Sequence, residues 1–450
     1  MAKLTSLNPA DASEIGSVKI ATKAGIEAAV KKARQGFDKW RLVPLKKRGQ
    51  ILVKASVLFK KNKIRLAKLI SREMGKPIDE ALTEVDDAAA NLKWLGIKGF
   101  KYLEDEFLEK TAKVVSVLRY EPVGVVACIK PWNFPLVTPI AAVAPALLAG
   151  NSVILKPSEY VPLISNEWAK LFWEAGIPKD GLQIVHGRSE VGEMLVDSKI
   201  DMVSFTGSTE VGQEIANKCA SKLIKFVLEL GGSSPAIVCA DADLEQAADK
   251  IIKARFLNCG QVCCAIKRVL AESRAYNPLI KLLEEKARQV KVGPLVSEKQ
   301  LLKFEKQITR GIIQGGRIIV GGRRLRDEQH IKGYFHEPTL MIHVTPKMEI
   351  MQEETFGPVL PVIEVESFDQ AIKLANETEF GLTAAVFTRS KAKINQAIKK
   401  LKAGSIYINE AIAFSEGSPW TGLKKSGFGT AGGKHGLWEF THKKHVYVKR

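Results

Sequence analysis

Apolar residues return every three or four positions between lysines over residues 26–102, which predicts a series of surface helices. The pattern then changes to short runs of β-branched residues, such as 111–119 and 123–129, that alternate with helical segments. This alternation continues on both sides of Gly231 as far as Leu401. It is typical of parallel sheets covered by helices, so the sequence predicts an α/β protein whose two lobes meet near Gly231.

Composition and charge narrow the class of protein. The chain has 450 residues, of which 46% are hydrophobic and 26% are charged, and these values exclude a disordered or fibrous protein. The net charge of +19 favours acidic partners. No nucleic-acid motif accompanies this charge, and the lysine-rich residues 46–68 are explained by solvated helix faces. We therefore expect no nucleic-acid partner.

The cysteines, the N-terminal residues and the most apolar stretch indicate the cellular compartment of the protein. The six cysteines are too few for a disulfide scaffold and have no C-x-x-C spacing, so we expect a reducing compartment and no metal. Residues 1–25 lack the apolar core of a signal peptide. The most apolar stretch, 131–155, is interrupted by four prolines, which argues against a membrane span. These observations predict a cytoplasmic protein.

A glycine-containing turn is the first candidate for ligand binding. Residues 205–212 follow a predicted strand and open a helix, where free backbone N–H groups can receive a phosphate. Gly207 and Gly212 frame this turn, but the segment lacks both the lysine of a P-loop and the middle glycine of the usual dinucleotide motif. A simple strand-to-helix turn explains it about as well.

Three further residues are candidates for chemistry, each with a structural alternative. Cys263 follows a glycine-containing segment, although most buried cysteines only pack. Glu229 ends an apolar strand, a poor place for a carboxylate without a role, and an ion pair is the alternative. Asn133 lies between two prolines after a strand, where its amide suits an oxyanion hole or caps the following helix.

Taken together and in this order, these segments resemble the NAD(P)-dependent aldehyde dehydrogenase superfamily over nearly the whole chain. The motifs that carry the resemblance are residues 131–135, 156–159, 205–212, 229–232, 258–263, 353–358 and 424–429. Residues 72–77, 424–429 and 436–440 are most similar to the succinate-semialdehyde dehydrogenase branch. Members of that branch usually carry an arginine on the helix after the first motif, whereas residues 136–145 contain no basic residue. The identity of the substrate therefore stays open.

The resemblance implies a reaction and its catalytic residues. Cys263 matches the nucleophile that forms a thiohemiacetal and then a thioester. Asn133 matches the amide that holds the oxyanion, and Glu229 matches the base that activates water to release a carboxylic acid. Two alternatives remain: a CoA-acylating aldehyde dehydrogenase, and a catalytically silent polyanion-binding protein on the same scaffold.

The resemblance also implies a nicotinamide cofactor and no metal. Lys156 and Glu159 match positions at the adenosine ribose, and a carboxylate there favours NAD while NADP stays possible. The full set of implied cofactor contacts is Trp132, Lys156, Ser158, Glu159, Gly207, Ser208, Gly212, Glu354 and Phe356.

The family architecture implies three parts. Residues 1–103 and 123–230 would form a Rossmann-like cofactor domain, and residues 231–429 an α/β catalytic domain. Residues 104–122 and 430–450 would form a small β element that bridges subunits of a homodimer or homotetramer.

Overall fold

The computed structural model describes residues 2–450, which contain fifteen α-helices and twenty strands. The helices are α1 Lys23–Trp40, α2 Leu45–Lys61, α3 Lys63–Met74, α4 Ile78–Ile97, α5 Val137–Ala149, α6 Pro162–Ala175, α7 Ser189–Asp197, α8 Thr209–Ser221, α9 Leu244–Phe256, α10 Ser273–Gln289, α11 Glu298–Ile313, α12 Glu349–Gln352, α13 Phe368–Asn376, α14 Lys391–Lys400 and α15 Gly433–Glu439. Two 3-10 turns span Gly99–Leu103 and Leu257–Gly260.

The strands are β1 Lys3–Leu7, β2 Glu14–Lys19, β3 Glu106–Lys110, β4 Val114–Pro122, β5 Val125–Ile129, β6 Ser152–Lys156, β7 Leu182–Ile184, β8 Met202–Thr206, β9 Lys225–Glu229, β10 Ser234–Val238, β11 Ile266–Glu272, β12 Arg317–Val320, β13 Thr339–Ile342, β14 Val359–Val365, β15 Phe380–Gly381, β16 Thr383–Phe387, β17 Ser405–Ile408, β18 Leu423–Lys424, β19 Gly427–Phe428 and β20 Thr441–Lys449. The predicted α/β fold is confirmed.

The predicted N-terminal helices are α1 to α4. Their apolar positions are buried at helical spacing, as at Leu52, Ala55 and Phe59 of α2, while Lys54 and Lys60 on the opposite side are exposed. The lysine-rich stretch is therefore the solvated outer face of these helices.

The first large sheet has the order β19-β9-β8-β5-β6-β7, and its five strands β5 to β9 are parallel. Successive residues of β5 alternate between two cores, because Val126 and Cys128 face one layer of helices while Val125 and Ala127 face the other. The chain runs outward from β5 to β7 and then returns to place β8 beside β5. The carboxyl ends of β5 and β8 thus flank the switch point at which open α/β sheets bind ligands.

The second large sheet has the order β12-β13-β14-β11-β10-β16-β17, with β12 as its antiparallel edge. Residues 230–233 connect β9 of the first sheet to β10 of the second, which is where the sequence predicts that two lobes meet. Gly427 and Phe428 of β19 pair back to β9, so the chain beyond the second sheet returns to the first.

A third sheet, β20-β4-β3, is antiparallel and largely exposed. The strand predicted at 111–119 begins later, at Val114, and continues to Pro122. The Thr111 hydroxyl explains the late start, because it accepts hydrogen bonds from the backbone N–H groups of Lys113 and Val114 at 3.3 and 3.0 Å and closes a turn there.

Candidate active site

Cys263 lies in a strained loop between the 3-10 turn and β11. Asn258 and Cys259 have φ angles of 51° and 57°, and Gly260 follows with φ of 73°. Left-handed backbone at two consecutive non-glycine residues costs on the order of 1–3 kcal/mol each, and such strain concentrates at functional sites. Of the six cysteines, Cys263 is partly buried and the other five are buried.

Hydrogen bonds from outside the loop hold this backbone in place. The Glu80 carboxylate accepts the Asn258 N–H at 2.8 Å, and the Asn258 side-chain amide donates to the carbonyl oxygen of Asn133 at 2.9 Å. The buried Gln261 side chain donates to the Asn258 carbonyl at 3.0 Å and accepts the Val296 N–H at 2.9 Å. The loop is therefore attached both to helix α4 and to the segment that carries Asn133.

Asn133 faces the cysteine loop. Its buried side-chain nitrogen donates to the Gln261 carbonyl at 3.1 Å, and an amide nitrogen carries two hydrogens, so one donor remains. It does not cap α5, because the N–H groups of Leu136 and Val137 are accepted by Glu84. The capping alternative for Asn133 is therefore wrong.

Glu229 is a buried carboxyl group at the carboxyl end of β9. It is 9% exposed, and neither oxygen has a hydrogen-bond partner among the described residues. Burial raises its pKa well above the ordinary value and the Cys263 thiol adds to this shift, while the Lys130 ammonium opposes it. The side chain makes none of the salt bridges found in residues 2–450, so the ion-pair alternative is wrong for Glu229.

The Cys263 thiol is also held in its neutral form. The side chain of Cys264 and burial raise the pKa of Cys263, and the Glu354 carboxylate adds to the shift while Lys267 opposes it. A thiol of raised pKa needs a base to become a nucleophile. The side chains around it are apolar: Phe134, Leu257, Ile412 and Trp420 pack in the same cluster.

The expected cofactor residues occupy the carboxyl ends of three neighbouring strands. Lys156 ends β6, and its nearly buried ammonium lies 3.8 Å from the Glu159 carboxylate, which is 32% exposed. Ser158 lies between them and accepts the Tyr160 N–H at 3.3 Å. Gly207 and Ser208 follow β8, beside β5 at the switch point.

Helix α8 completes this side of the site. Ser208 is its N-cap, with its hydroxyl accepting the Val211 N–H, and the first turn has further N–H groups without helical partners. Gly212 lies in that first turn, where a Cβ atom would come within 2.4 Å of the Leu230 side chain. An anionic group fits at this helix end.

The remaining cofactor candidates lie across from these residues. The Glu354 carboxylate accepts the Gly232 N–H at 3.2 Å, and the Phe356 ring stands edge-on to Trp132 with a centroid distance of 5.4 Å. Together with Lys156, Glu159 and the α8 N-terminus, these groups supply cationic, hydroxyl-accepting and aromatic contacts. The donor set fits a nicotinamide dinucleotide.

Sequence reasoning missed several charged residues beneath the site. Lys267 is fully buried, and its ammonium donates to the Thr355 carbonyl at 2.8 Å and lies 4.9 Å from the centroid of the Phe356 ring. Burial lowers the pKa of Lys267 to about 7. Glu80 and Glu84 lie four residues apart on α4, a spacing that places them on one helix face but does not reveal what they contact.

Two features are absent from the described residues. Across 2–450, no three or more His, Cys, Asp and Glu side chains are grouped so that they could hold a metal ion. In the same residues, no helix is both long enough and apolar enough to cross a bilayer. The cytoplasmic location stays a prediction.

Known proteins resemble this chain over its whole length. Residues 2–446 match the aldehyde dehydrogenase family. Betaine aldehyde dehydrogenase of Bacillus subtilis (strain 168) is 36% identical over 98% of this chain and 93% of its own length. The NADP(+) succinate-semialdehyde dehydrogenase of Escherichia coli (strain K12) is 32% identical over 98% of this chain and 93% of its own length.

A solved structure gives the same result. The crystal structure of a betaine aldehyde dehydrogenase point mutant from Staphylococcus aureus, in complex with NAD+, matches with a TM-score of 0.96 and 32% identity, covering 100% of this chain and 93% of the other. The expected resemblance is confirmed, and NAD(P) is the cofactor class. The chain belongs to the aldehyde dehydrogenase family and is an NAD(P)-dependent aldehyde dehydrogenase.

Proposed function

We propose that the protein oxidises an aldehyde to the carboxylic acid through a covalent intermediate on Cys263. The observation that carries this proposal is the buried carboxyl group of Glu229, which has no hydrogen-bond partner among the described residues and whose pKa is raised in part by the partly buried thiol of Cys263. An acid group without partners in such a place is costly, and proton transfer with the thiol and with water gives it a role.

In the first half-reaction, the Cys263 sulfur bonds to the aldehyde carbon after the thiol proton moves to Glu229. The carbonyl oxygen becomes the oxyanion of a thiohemiacetal. The second N–H of the Asn133 amide and the Cys263 backbone N–H are the donors for it. Bound NAD(P) supplies the hydride acceptor that converts this adduct to a thioester.

Glu229 then releases the thiol proton to solvent. In the second half-reaction, the ionised Glu229 accepts a proton from water as the water oxygen attacks the thioester carbon. The carbon–sulfur bond then breaks, the acid leaves, and the thiol is restored. The buried base Glu229 serves the attack of water, so we prefer water to CoA as the acyl acceptor. Transfer of the acyl group to CoA is the second candidate reaction. Family membership argues against the silent polyanion-binding alternative.

NAD is the preferred cofactor in this proposal. The Glu159 carboxylate beside Lys156 accepts hydrogen bonds from ribose hydroxyls and repels a 2′-phosphate. Lys156 carries the opposite charge, which keeps NADP possible.

A semialdehyde such as succinate semialdehyde is the first substrate to test, because motifs and named relatives both point there. Helix α5 has no basic residue, and apolar side chains such as Phe134 and Trp420 pack in the same cluster as Cys263. Both features favour neutral aldehydes instead. The substrate panel must therefore contain both kinds.

We also propose that the sheet β20-β4-β3 joins subunits of a homodimer or homotetramer. Its strands present Phe107, Leu108, Tyr447 and Val448 with 46 to 58% of each residue exposed. Large exposed apolar side chains on the two outer strands of a small sheet are typical of an interface.

The first prediction concerns the reaction. Wild-type protein reduces NAD with at least one of succinate semialdehyde, lactaldehyde, betaine aldehyde and benzaldehyde and releases the acid without CoA. Cys263→Ser lowers this rate by about 1000-fold or more while cofactor binding persists. Spectrophotometry of NADH, with and without CoA, checks both statements. Turnover that requires CoA would show that CoA, and not water, accepts the acyl group from Cys263.

The second prediction concerns Glu229→Gln. In this variant solvent takes the thiol proton in place of Glu229, so about one equivalent of NADH per subunit still forms in a burst. Turnover after the burst is on the order of 100-fold slower, because hydrolysis lacks its base. The raised pKa of Glu229 means that wild-type turnover increases as pH rises and the carboxyl ionises. The variant loses this rise of turnover with pH, because glutamine does not ionise. A slow phase without a burst would mean that deprotonation of the thiol needs Glu229 as strictly as hydrolysis does, and would overturn this prediction.

The third prediction concerns cofactor choice. Glu159→Gln raises kcat/KM for NADP relative to NAD by about fivefold, since the carboxylate is part-exposed and its repulsion is screened. Glu167→Gln is the matched control, because Glu167 is 24% exposed and pairs with Lys170 at the same i,i+3 spacing. Equal effects of the two substitutions would remove Glu159 from the cofactor site.

The fourth prediction concerns assembly. Tyr447→Asp shifts the protein from an oligomer towards the monomer on size-exclusion chromatography, because it places a charge in an apolar interface. Ile313→Asp changes an apolar residue that is 79% exposed on α11 and leaves the elution volume unchanged. A wild-type monomer would overturn the proposed interface.

A further inference from the structure

We infer that Glu84, paired with Lys76, positions the oxyanion donor Asn133 from beneath the active site. The inference rests on the proposed role of Asn133 and adds two residues that touch neither the substrate nor Cys263. It concerns the geometry of the segment Trp132–Val137 rather than the chemistry itself.

Glu84 holds the chain immediately after Asn133. One of its carboxylate oxygens accepts the N–H groups of Leu136 and Val137, at 2.8 and 3.2 Å. These are the first N–H groups of α5, which has no side-chain cap of its own. A negative charge at a helix N-terminus is stabilised by the helix dipole, so this contact fixes where α5 begins.

Lys76 holds the residue that follows Asn133. Its ammonium lies 3.8 Å from the centroid of the Phe134 ring and 2.6 Å from the second oxygen of Glu84. Both side chains of the pair are 0% exposed. The Phe134 ring in turn packs in the cluster that contains Cys263. The pair therefore contacts this segment at three residues: Phe134, Leu136 and Val137.

Helix α4 also holds the opposite loop of the site. Glu80 lies one turn before Glu84 and accepts the N–H of Asn258, whose side chain donates to the Asn133 carbonyl. The segment that carries the oxyanion donor and the strained loop that carries Cys263 are thus attached to the same helix face. A rigid helix is a better reference for two catalytic groups than two separate loops are.

A fully buried ion pair is a weak source of stability, because desolvation offsets most of the attraction and an apolar replacement often stabilises more. Fixing the direction of a hydrogen-bond donor is a purpose that an apolar replacement could not serve. Oxyanion donors act over a narrow range of distance, and a displacement of about 1 Å can cost on the order of 100-fold in rate.

The chain contains a matched control in Glu73. This carboxylate is also fully buried and accepts two N–H groups at the start of a helix, those of Leu163 and Ile164 of α6, together with the Ser6 hydroxyl. Burial raises the pKa of Glu73 to about 7. Glu73 resembles Glu84 in burial and in the N–H groups that it accepts, but α6 does not carry the oxyanion donor.

Two reactions of the cofactor-free, full-length protein separate positioning from general loosening. Acylation of Cys263 by p-nitrophenyl acetate releases p-nitrophenolate and passes through a tetrahedral oxyanion. Alkylation by iodoacetamide forms a carbon–sulfur bond and releases iodide without any oxyanion. Peptide mapping of the alkylated protein, with Cys263→Ser as the blank, confirms which thiol reacts.

Glu84→Gln is expected to lower the acylation rate on the order of 100-fold relative to the alkylation rate. Glu73→Gln is expected to leave the ratio of the two rates at the wild-type value. Should Glu84→Gln fail to fold, Phe134→Leu carries the test, because it keeps the ion pair and removes only the ring above Lys76; it lowers the same ratio by about tenfold.

Equal loss of both rates in Glu84→Gln, an unchanged ratio in Glu84→Gln and Phe134→Leu, or the same fall in Glu73→Gln would each overturn the positioning role. Failure of the proposed function looks different. Wild-type protein would then react with both reagents at Cys263 but oxidise no aldehyde, or the label would map to another cysteine.

Discussion

The close contact between the two large sheets is the constraint on which the site depends. Only four residues, 230–233, separate the end of β9 from the start of β10. A Cβ atom at Gly231 would lie 2.5 Å from a carboxylate oxygen of Glu354, and one at Gly232 would lie 2.6 Å from the Cys263 carbonyl oxygen. The absence of side chains at this crossing lets Glu229, Glu354 and the cysteine loop approach one another.

Around this crossing the protein tolerates features that cost stability. Glu229 has no hydrogen-bond partner within residues 2–450, two non-glycine residues before Cys263 have left-handed backbone, and Lys267 is fully buried under the Phe356 ring. Two extensive cores, one on each face of the first sheet, offset these costs. This concentration of strain and unpaired polarity at one place is what a preorganised catalytic site requires.

Helix α4 links the catalytic elements to the rest of the fold. Its first turns combine the carboxylates of Glu80 and Glu84, which bind backbone of the cysteine loop and of α5. Its apolar face packs into the core with α2, α3 and α5. The position of Asn133 relative to the cysteine loop thus depends on the packing of a helix that lies more than 100 residues before Cys263 in the sequence, since Glu84 is part of that packing.

By itself the sequence determined the α/β class, the N-terminal helices and the junction near Gly231, because these follow from local periodicity and from glycine. Its motifs also pointed to the family and to Cys263, Glu229 and Asn133. Tertiary structure alone decided between the alternatives for Glu229 and Asn133, since ion pairing and capping depend on partners distant in sequence. It also revealed Lys76, Glu84 and Lys267, because the sequence pattern of a charged residue does not show that it is buried or which backbone groups it contacts.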